Sequence, residues 1–302
     1  MNILKHKELT WVDIEDPKDG DITYLRTNFN LPEGILEEII PPSQHSKIED
    51  FDNIFYFVLY LPEFDRKSRL SHNRELDVVL GQDFLITSHY KSIGPVMDFF
   101  NRLNTHEEEK LKFFSKNSAF LLAGFLNNFL RSYSPKLDHI SEEIKEIEIM
   151  IFGGQEKEMI ARISNVQRNL LAFWQSLKPQ RLIFESLVTL EDKGFSKGSR
   201  NYFQGILGSY HKVLELMENN IEMLNSLENT NSILFSSKLN ELIKFFTVFS
   251  VLSLVSTLVF SFFGMSIMLP LGGEKLHYLA ILGFVLILNI ILIIYFRKKK
   301  WL

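Results

Sequence analysis

Asn240, Ile243, Thr247, Ser250, Leu254, Thr257, Ser261 and Gly264 follow one another every three or four residues. Helical spacing puts them on one face, small and hydroxylated except at Ile243 and Leu254. Phe245, Phe249, Leu252, Leu258 and Val259 crowd the other sides. Lipid tails offer a hydroxyl no hydrogen-bond partner. Such a face therefore serves one of two purposes. Small residues let another helix approach closely, or hydroxyls and carbonyls line a path for an ion that keeps part of its water. Periodicity leaves both open. No Asp, Glu, Lys or Arg lies from Phe245 to Gly273, or from His277 to Phe296. A proton relay or charged selectivity ring inside a membrane is not expected. Asn289 in the second run reads as an interhelical hydrogen-bonding group.

Other chemistries find little support. The 302 residues contain no Cys, which removes thiolate catalysis, disulfides and Cys-ligated zinc. The His residues are scattered without an H-x-x-x-H pair. Gly153-Gly154 and Gly272-Gly273 lack the Lys-Ser/Thr of a phosphate loop. No Gly-x-Ser-x-Gly nucleophile motif is present. Glu107-Glu108-Glu109, the group Glu142, Glu143, Glu146 and Glu148, and the group Glu49, Asp50 and Asp52 are candidate cation sites. Acidic runs on helices usually form solvated faces. With 33 basic against 37 acidic residues and a net charge of −4, no nucleic-acid partner is expected. No enzyme chemistry emerges.

These residues must be carried by elements that cross a bilayer. A spanning helix needs about 20 apolar residues. Both uncharged runs reach that length, and the short link with Pro270, Gly272 and Gly273 makes them an antiparallel hairpin. Arg297-Lys298-Lys299-Lys300 follows the second run, Lys238 and Lys244 precede the first, and the link carries only Glu274 and Lys275. The positive-inside rule then puts both termini in the cytoplasm, with two spans in the cell (inner) membrane. The opening MNILKHKELTW has no apolar signal core.

The remaining chain reads as soluble. Ile54–Leu61 is a β-branched and aromatic run, expected as a buried strand. Leu76–Leu80 and Phe84–Thr87 read as a hairpin turning at Gly81-Gln82-Asp83. A short helix is expected over Ile35–Ile40, entered after Pro32 and stopped by Pro41-Pro42. From about Pro95 the pattern is helical. Leu137, Ile140, Ile144, Ile147 and Ile151 mark one stripe that ends at Gly153-Gly154. A second run is interrupted at Pro179, and a third runs from near Ser199 to Gly264 without Pro. A helix that long needs partners to cover its apolar stripe.

The ordered set of short matches resembles the CorA family of divalent-cation channels. It comprises Leu239-Asn240-Glu241, Gly264-Met265, Met268-Leu269-Pro270 and the basic finish Arg297–Trp301-Leu302. Upstream are Trp11-Val12-Asp13-Ile14 with Pro17, Lys47–Phe51, Leu85-Ile86-Thr87 and Pro179-Gln180-Arg181. The resemblance implies an α+β cytoplasmic domain, a long stalk helix and a two-helix transmembrane hairpin, assembled as a funnel-shaped homopentamer. The expected boundaries are 1–95 mixed α/β, 96–198 helical, 199–243 stalk, 244–265 first span, 266–276 external loop, 277–296 second span and 297–302 basic tail. It further implies that Asn240 rings the cytoplasmic mouth and that Ile243, Phe246 and Leu254 form apolar constrictions. Thr257 and Ser261 face the ion, with Thr247 and Ser250 on the same wall. The partners implied are the bilayer, further copies of the chain and a divalent cation, which is cargo. No cofactor is required, and no protein metal site is assigned.

Two departures from the family pattern carry chemical weight. The outer signature Gly-Met-Asn reads Gly264-Met265-Ser266 here. Mg²⁺ releases its waters reluctantly, and a Ser hydroxyl reaches a hydrated ion less far than an Asn amide. In the mouth loop Glu274 alone could draw cations, opposed by Lys275; a solvated loop charge is the alternative. In the stalk, where many magnesium members carry an acid after a Tyr-Phe pair, this chain reads Tyr202-Phe203-Gln204-Gly205, then Gly208. The glycines weaken the helix by about 1 kcal/mol each and suit a bend or a close crossing. Mg²⁺ is the leading cargo. Zn²⁺, Co²⁺ or Ni²⁺ transport, or a weakly conducting scaffold relative, are the alternatives.

Overall fold

The computed structural model describes residues 1–43, 45–65, 70–192, 195, 197–264 and 274–301. They form two compact units, one of residues 1–153 and 158–227, the other of residues 154–157 and 228–302.

The first unit is built on a six-stranded sheet. Its strands are β1 (Asn2–His6), β2 (Leu9–Glu15), β3 (Ile48–Phe51), β4 (Ile54–Asp65), β5 (Leu70–Leu80) and β6 (Phe84–His89). Their order is β1-β2-β6-β5-β4-β3. Among the described residues only the β2–β6 pair is parallel, with Asp13 opposite Thr87. The β5–β6 hairpin turns at Gly81, whose N–H donates to the Phe84 carbonyl at 3.0 Å. A Cβ on Gly81 would lie 2.3 Å from the Phe84 ring, so only Gly fits. The apolar run over Ile54–Leu61 continues four residues further, because strand pairing carries the polar end of β4 along β5.

Strand alternation gives the sheet two buried faces. On one, Val12, Ile14, Tyr56, Val58, Val79 and Ile86 meet Leu25 of α1 (Asp19–Phe29) and Ile35, Leu36 and Ile39 of α2 (Glu33–Ile39). On the other, Trp11 meets Phe99 and Phe100 of α3 (Gly94–Thr105) and Phe125 of α5 (Ser118–Phe152). The short α4 (Glu107–Phe114) lies between α3 and α5 in the chain. Asn117 caps α5 by accepting from Phe120 N–H at 2.9 Å. Leu137, Ile144, Ile147 and Ile151 are buried as the stripe predicts; Ile140 is half-buried.

After α6 (Glu156–Leu177) a 3₁₀ turn, Lys178–Gln180, absorbs Pro179, and α7 (Arg181–Val188) follows. α8 then runs unbroken from Arg200 to Gly264, 65 residues. Gly205 and Gly208 do not interrupt it. A Cβ on either would meet nothing within 4 Å among the described residues. Tyr210 fixes the N-terminal part of α8, donating to the Leu177 carbonyl at 2.8 Å.

The second unit holds the C-terminal part of α8 and α9 (Glu274–Lys298). Both helices are long and apolar enough to cross a membrane.

Candidate ion-conducting face of the spans

A bilayer-spanning helix satisfies its backbone internally, so side chains alone decide what each face does. α8 uses one face against α9. Val248 is buried there, and Leu252, Val255, Ser256 and Val259 are half-buried, with Val285 of α9 also buried. A polar bond joins the two helices: Asn289 Nδ2 donates to Ser256 Oγ at 2.9 Å. Ser256 in turn donates to the Leu252 carbonyl at 2.8 Å. Asn289 is thus an interhelical hydrogen-bonding group.

The hydroxylated face points elsewhere. Asn240, Ile243, Phe246, Ser250, Leu254, Thr257, Ser261 and Gly264 are exposed, and Thr247 is half-buried. Leu254 is 59% exposed, so α9 does not use this wall. Ile243, Phe246, Thr247, Ser250, Val251 and Leu254 bound a shallow groove of about 380 Å³. Thr247 donates to the Ile243 carbonyl at 2.7 Å and Thr257 to the Ser253 carbonyl at 2.8 Å. Both threonines therefore spend their proton on the helix and keep acceptor lone pairs. Met265 and Ser266 lie outside the described residues, as does the side chain of Glu274, which opens α9.

Two lysine contacts not read from the sequence tie down the long helix α8. Lys116 Nζ donates to Tyr202 Oη at 2.8 Å and lies 4.1 Å from the centre of the Phe120 ring. In the second unit, Lys238 Nζ bonds the carboxylate of Glu156 and the Gly154 carbonyl. Asn231 donates to the Glu156 carbonyl at 3.0 Å. The Lys238 bond holds the Glu156 carboxyl below its ordinary range. The local signal for this contact was the Gly153-Gly154 helix stop, which cannot name a partner so distant in sequence.

The acidic groups do not gather into metal sites. Among the described residues, no three His, Asp or Glu side chains converge on a position that could hold a metal. Arg162 lies 3.6 Å from Glu143 and 3.0 Å from Glu146. Glu109 pairs with Arg102 at 2.8 Å and Glu49 with Lys47 at 3.1 Å.

A model of the CorA-like Mg²⁺ transporter protein family matches residues 6–298. The cobalt/magnesium transport protein CorA of Thermotoga maritima is 23% identical, over 97% of this chain and 83% of that protein. Its namesake from Methanocaldococcus jannaschii is 23% identical over 97% of this chain and 92% of that protein. The complete structure of the M. jannaschii CorA magnesium transporter superposes with a TM-score of 0.81 at 20% identity, covering 100% of this chain and 95% of that one. With a family match spanning sheet, stalk helix and both apolar helices, this chain belongs to the CorA-like Mg²⁺ transporter protein family.

Proposed function

We propose that this protein is a membrane-potential-driven, CorA-type divalent-cation transporter with Mg²⁺ as its cargo. It works as a homopentamer in the cell membrane with both termini cytoplasmic. The observation that carries the reading, within the family membership, is the division of labour on α8. The valine-rich face meets α9, while the hydroxylated face stays exposed in the single chain. Five copies of that face around an axis make a channel wall. A hydrated cation presents water hydrogens outward. Thr257 and Thr247, with protons already committed to carbonyls, offer them acceptors.

The ion is drawn in at Gly264, Met265, Ser266 and Glu274, then passes Ser261 and Thr257. Leu254, Phe246 and Ile243 form apolar constrictions that close by dewetting, and Asn240 rings the exit. A divalent ion gains about 4.6 kcal/mol per 100 mV of inside-negative potential, so no nucleotide or bound cofactor is needed.

Ser266 favours a second cargo. Its shorter ring grips the hydrated ion less tightly, and the two relatives compared are named for cobalt as well as magnesium. The deciding experiment reconstitutes the native chain and Ser266→Asn in liposomes holding a Mg²⁺ dye, then repeats the assay with Co²⁺. Native Mg²⁺ flux supports the first reading. Co²⁺ flux alone, with Mg²⁺ flux restored by Ser266→Asn, supports the second. No flux of either ion in either protein removes both.

A further inference from the structure

Within the first unit, a cleft of about 510 Å³ opens between the end of β4, the start of α3, and α5 and α6. That volume falls in the range of small-molecule sites, about 300–1,000 Å³. Leu61, Ile93, Ile140 and Phe173 supply apolar wall. Among the described residues, three polar groups on the lining lack a hydrogen-bond or ion-pair partner. Tyr133 is 1% exposed, yet its hydroxyl has no hydrogen-bond partner among the described residues. Asn169 Oδ1 is buried and equally unpartnered. Lys136 is half-buried and makes no ion pair among the described residues; its Nζ lies 5.6 Å from the centre of the Tyr133 ring. Buried polar groups are nearly always bonded, and an orphan calls for an explanation.

We propose that this cleft binds a small monocarboxylate with an apolar body. Lys136 and the Tyr133 hydroxyl each donate to one carboxylate oxygen, and the body lies against Ile140 and Phe173. The unpartnered Asn169 oxygen accepts from an N–H or O–H carried by that body.

The Lys136 ammonium selects this class. Glu63 and Glu143 also line the cleft, but Arg74 holds the first at 3.2 Å and Arg162 lies 3.6 Å from the second. Asp98 is exposed. Lys136 lines the cleft and has no ion pair among the described residues, which suits a single negative charge; a phosphate dianion would be under-neutralised. Burial lowers the Lys136 pKa, and Glu63 opposes this. A carboxylate beside the ammonium acts in the same sense as Glu63. The first turn of α3 carries no acid and adds a favourable dipole at the cleft edge.

The test is calorimetric titration of the full chain in detergent with 3-phenylpropionate, 3-phenylpropanol and inorganic phosphate. Each variant is first shown to be folded by its thermal melt. Saturable binding of phenylpropionate is expected. Lys136→Met should weaken it about tenfold or more, as the loss of a charge-assisted hydrogen bond does. Ile140→Trp fills the cleft without touching its polar groups and should abolish binding. No saturation, saturation that survives both variants, or phosphate or phenylpropanol binding as tightly as phenylpropionate would overturn the proposal. Binding is read without ion flux, so transport and the cleft can fail independently.

Discussion

Lys238 and Glu156 stand 82 residues apart in sequence and meet at 2.5 Å, the lysine from α8 and the glutamate from the first turn of α6. The Glu156 side chain is 5% exposed, whereas half of Lys238 is solvated. Lys238→Met removes the ion-pair partner that a covered carboxylate has among the described residues and should lower the melting temperature; Glu156→Gln in the same background should recover part of the loss. The pH sign follows from the depressed carboxyl pKa. Its contribution is present above the ordinary glutamate value of 4.5 and fades as pH falls through the lower folded value. A melt of the native chain that rises on acidification below pH 4.5, and falls in Glu156→Gln, would contradict this.

Asn289→Leu deletes the hydrogen bond to Ser256 between the two spans. The expected loss is about 0.6 kcal/mol, since membrane hydrogen bonds are worth little more. Titration of the reconstituted protein with a denaturing detergent measures it. A loss several times larger would mean that the amide also serves a contact beyond α9.

Asp77 is buried on β5, accepts from Tyr56 Oη at 2.8 Å, and is pushed up to about 8, chiefly by burial. A carboxyl raised in the fold stabilises it below the unfolded value of 3.8 and loses that contribution as pH rises towards 8. His89, raised by its contacts with Asp13 against the cost of burial, acts in the same direction above 6.5. Urea stability should therefore fall between pH 5 and 8, and Asp77→Asn should flatten the slope. A native stability that climbs over this window would refute the assignment.

Leu254→Ser places a hydroxyl at an exposed apolar position on the proposed channel wall and should raise basal flux several-fold. Thr257→Val removes the acceptor oxygen and should lower flux by about threefold to tenfold, with assembly unchanged on size exclusion. Altered assembly with unaltered flux would assign the face to helix packing instead.

Local chemistry made much of this fold readable. The absence of Pro between Ser199 and Gly264 set the extent of α8, and Gly81 marked the β5–β6 turn. The polar ends of β4 and β5 were not legible, because partner strands rather than residue types hold them extended. β1 escaped notice for the same reason: its short mixed sequence is a strand only beside β2. On the spans, the hydroxyl period of α8 was visible. The face taken by α9 was not, since α9 is apolar around nearly its whole circumference and marks no side of its own. The Tyr133–Lys136 cleft was invisible because its walls come from four separated segments.

The parallel pairing of β2 with β6 also sets an order of assembly. Thr87 reaches Asp13 across 74 residues, and Trp11 reaches Thr87 across 76. The β4–β5–β6 meander can form from neighbouring hairpins, but the β1–β2 hairpin has no seat until β6 has left the ribosome. During synthesis Trp11, Val12 and Ile14 wait as an apolar, unpaired edge. That interval is when a nascent chain is most exposed to aggregation and most in need of a chaperone.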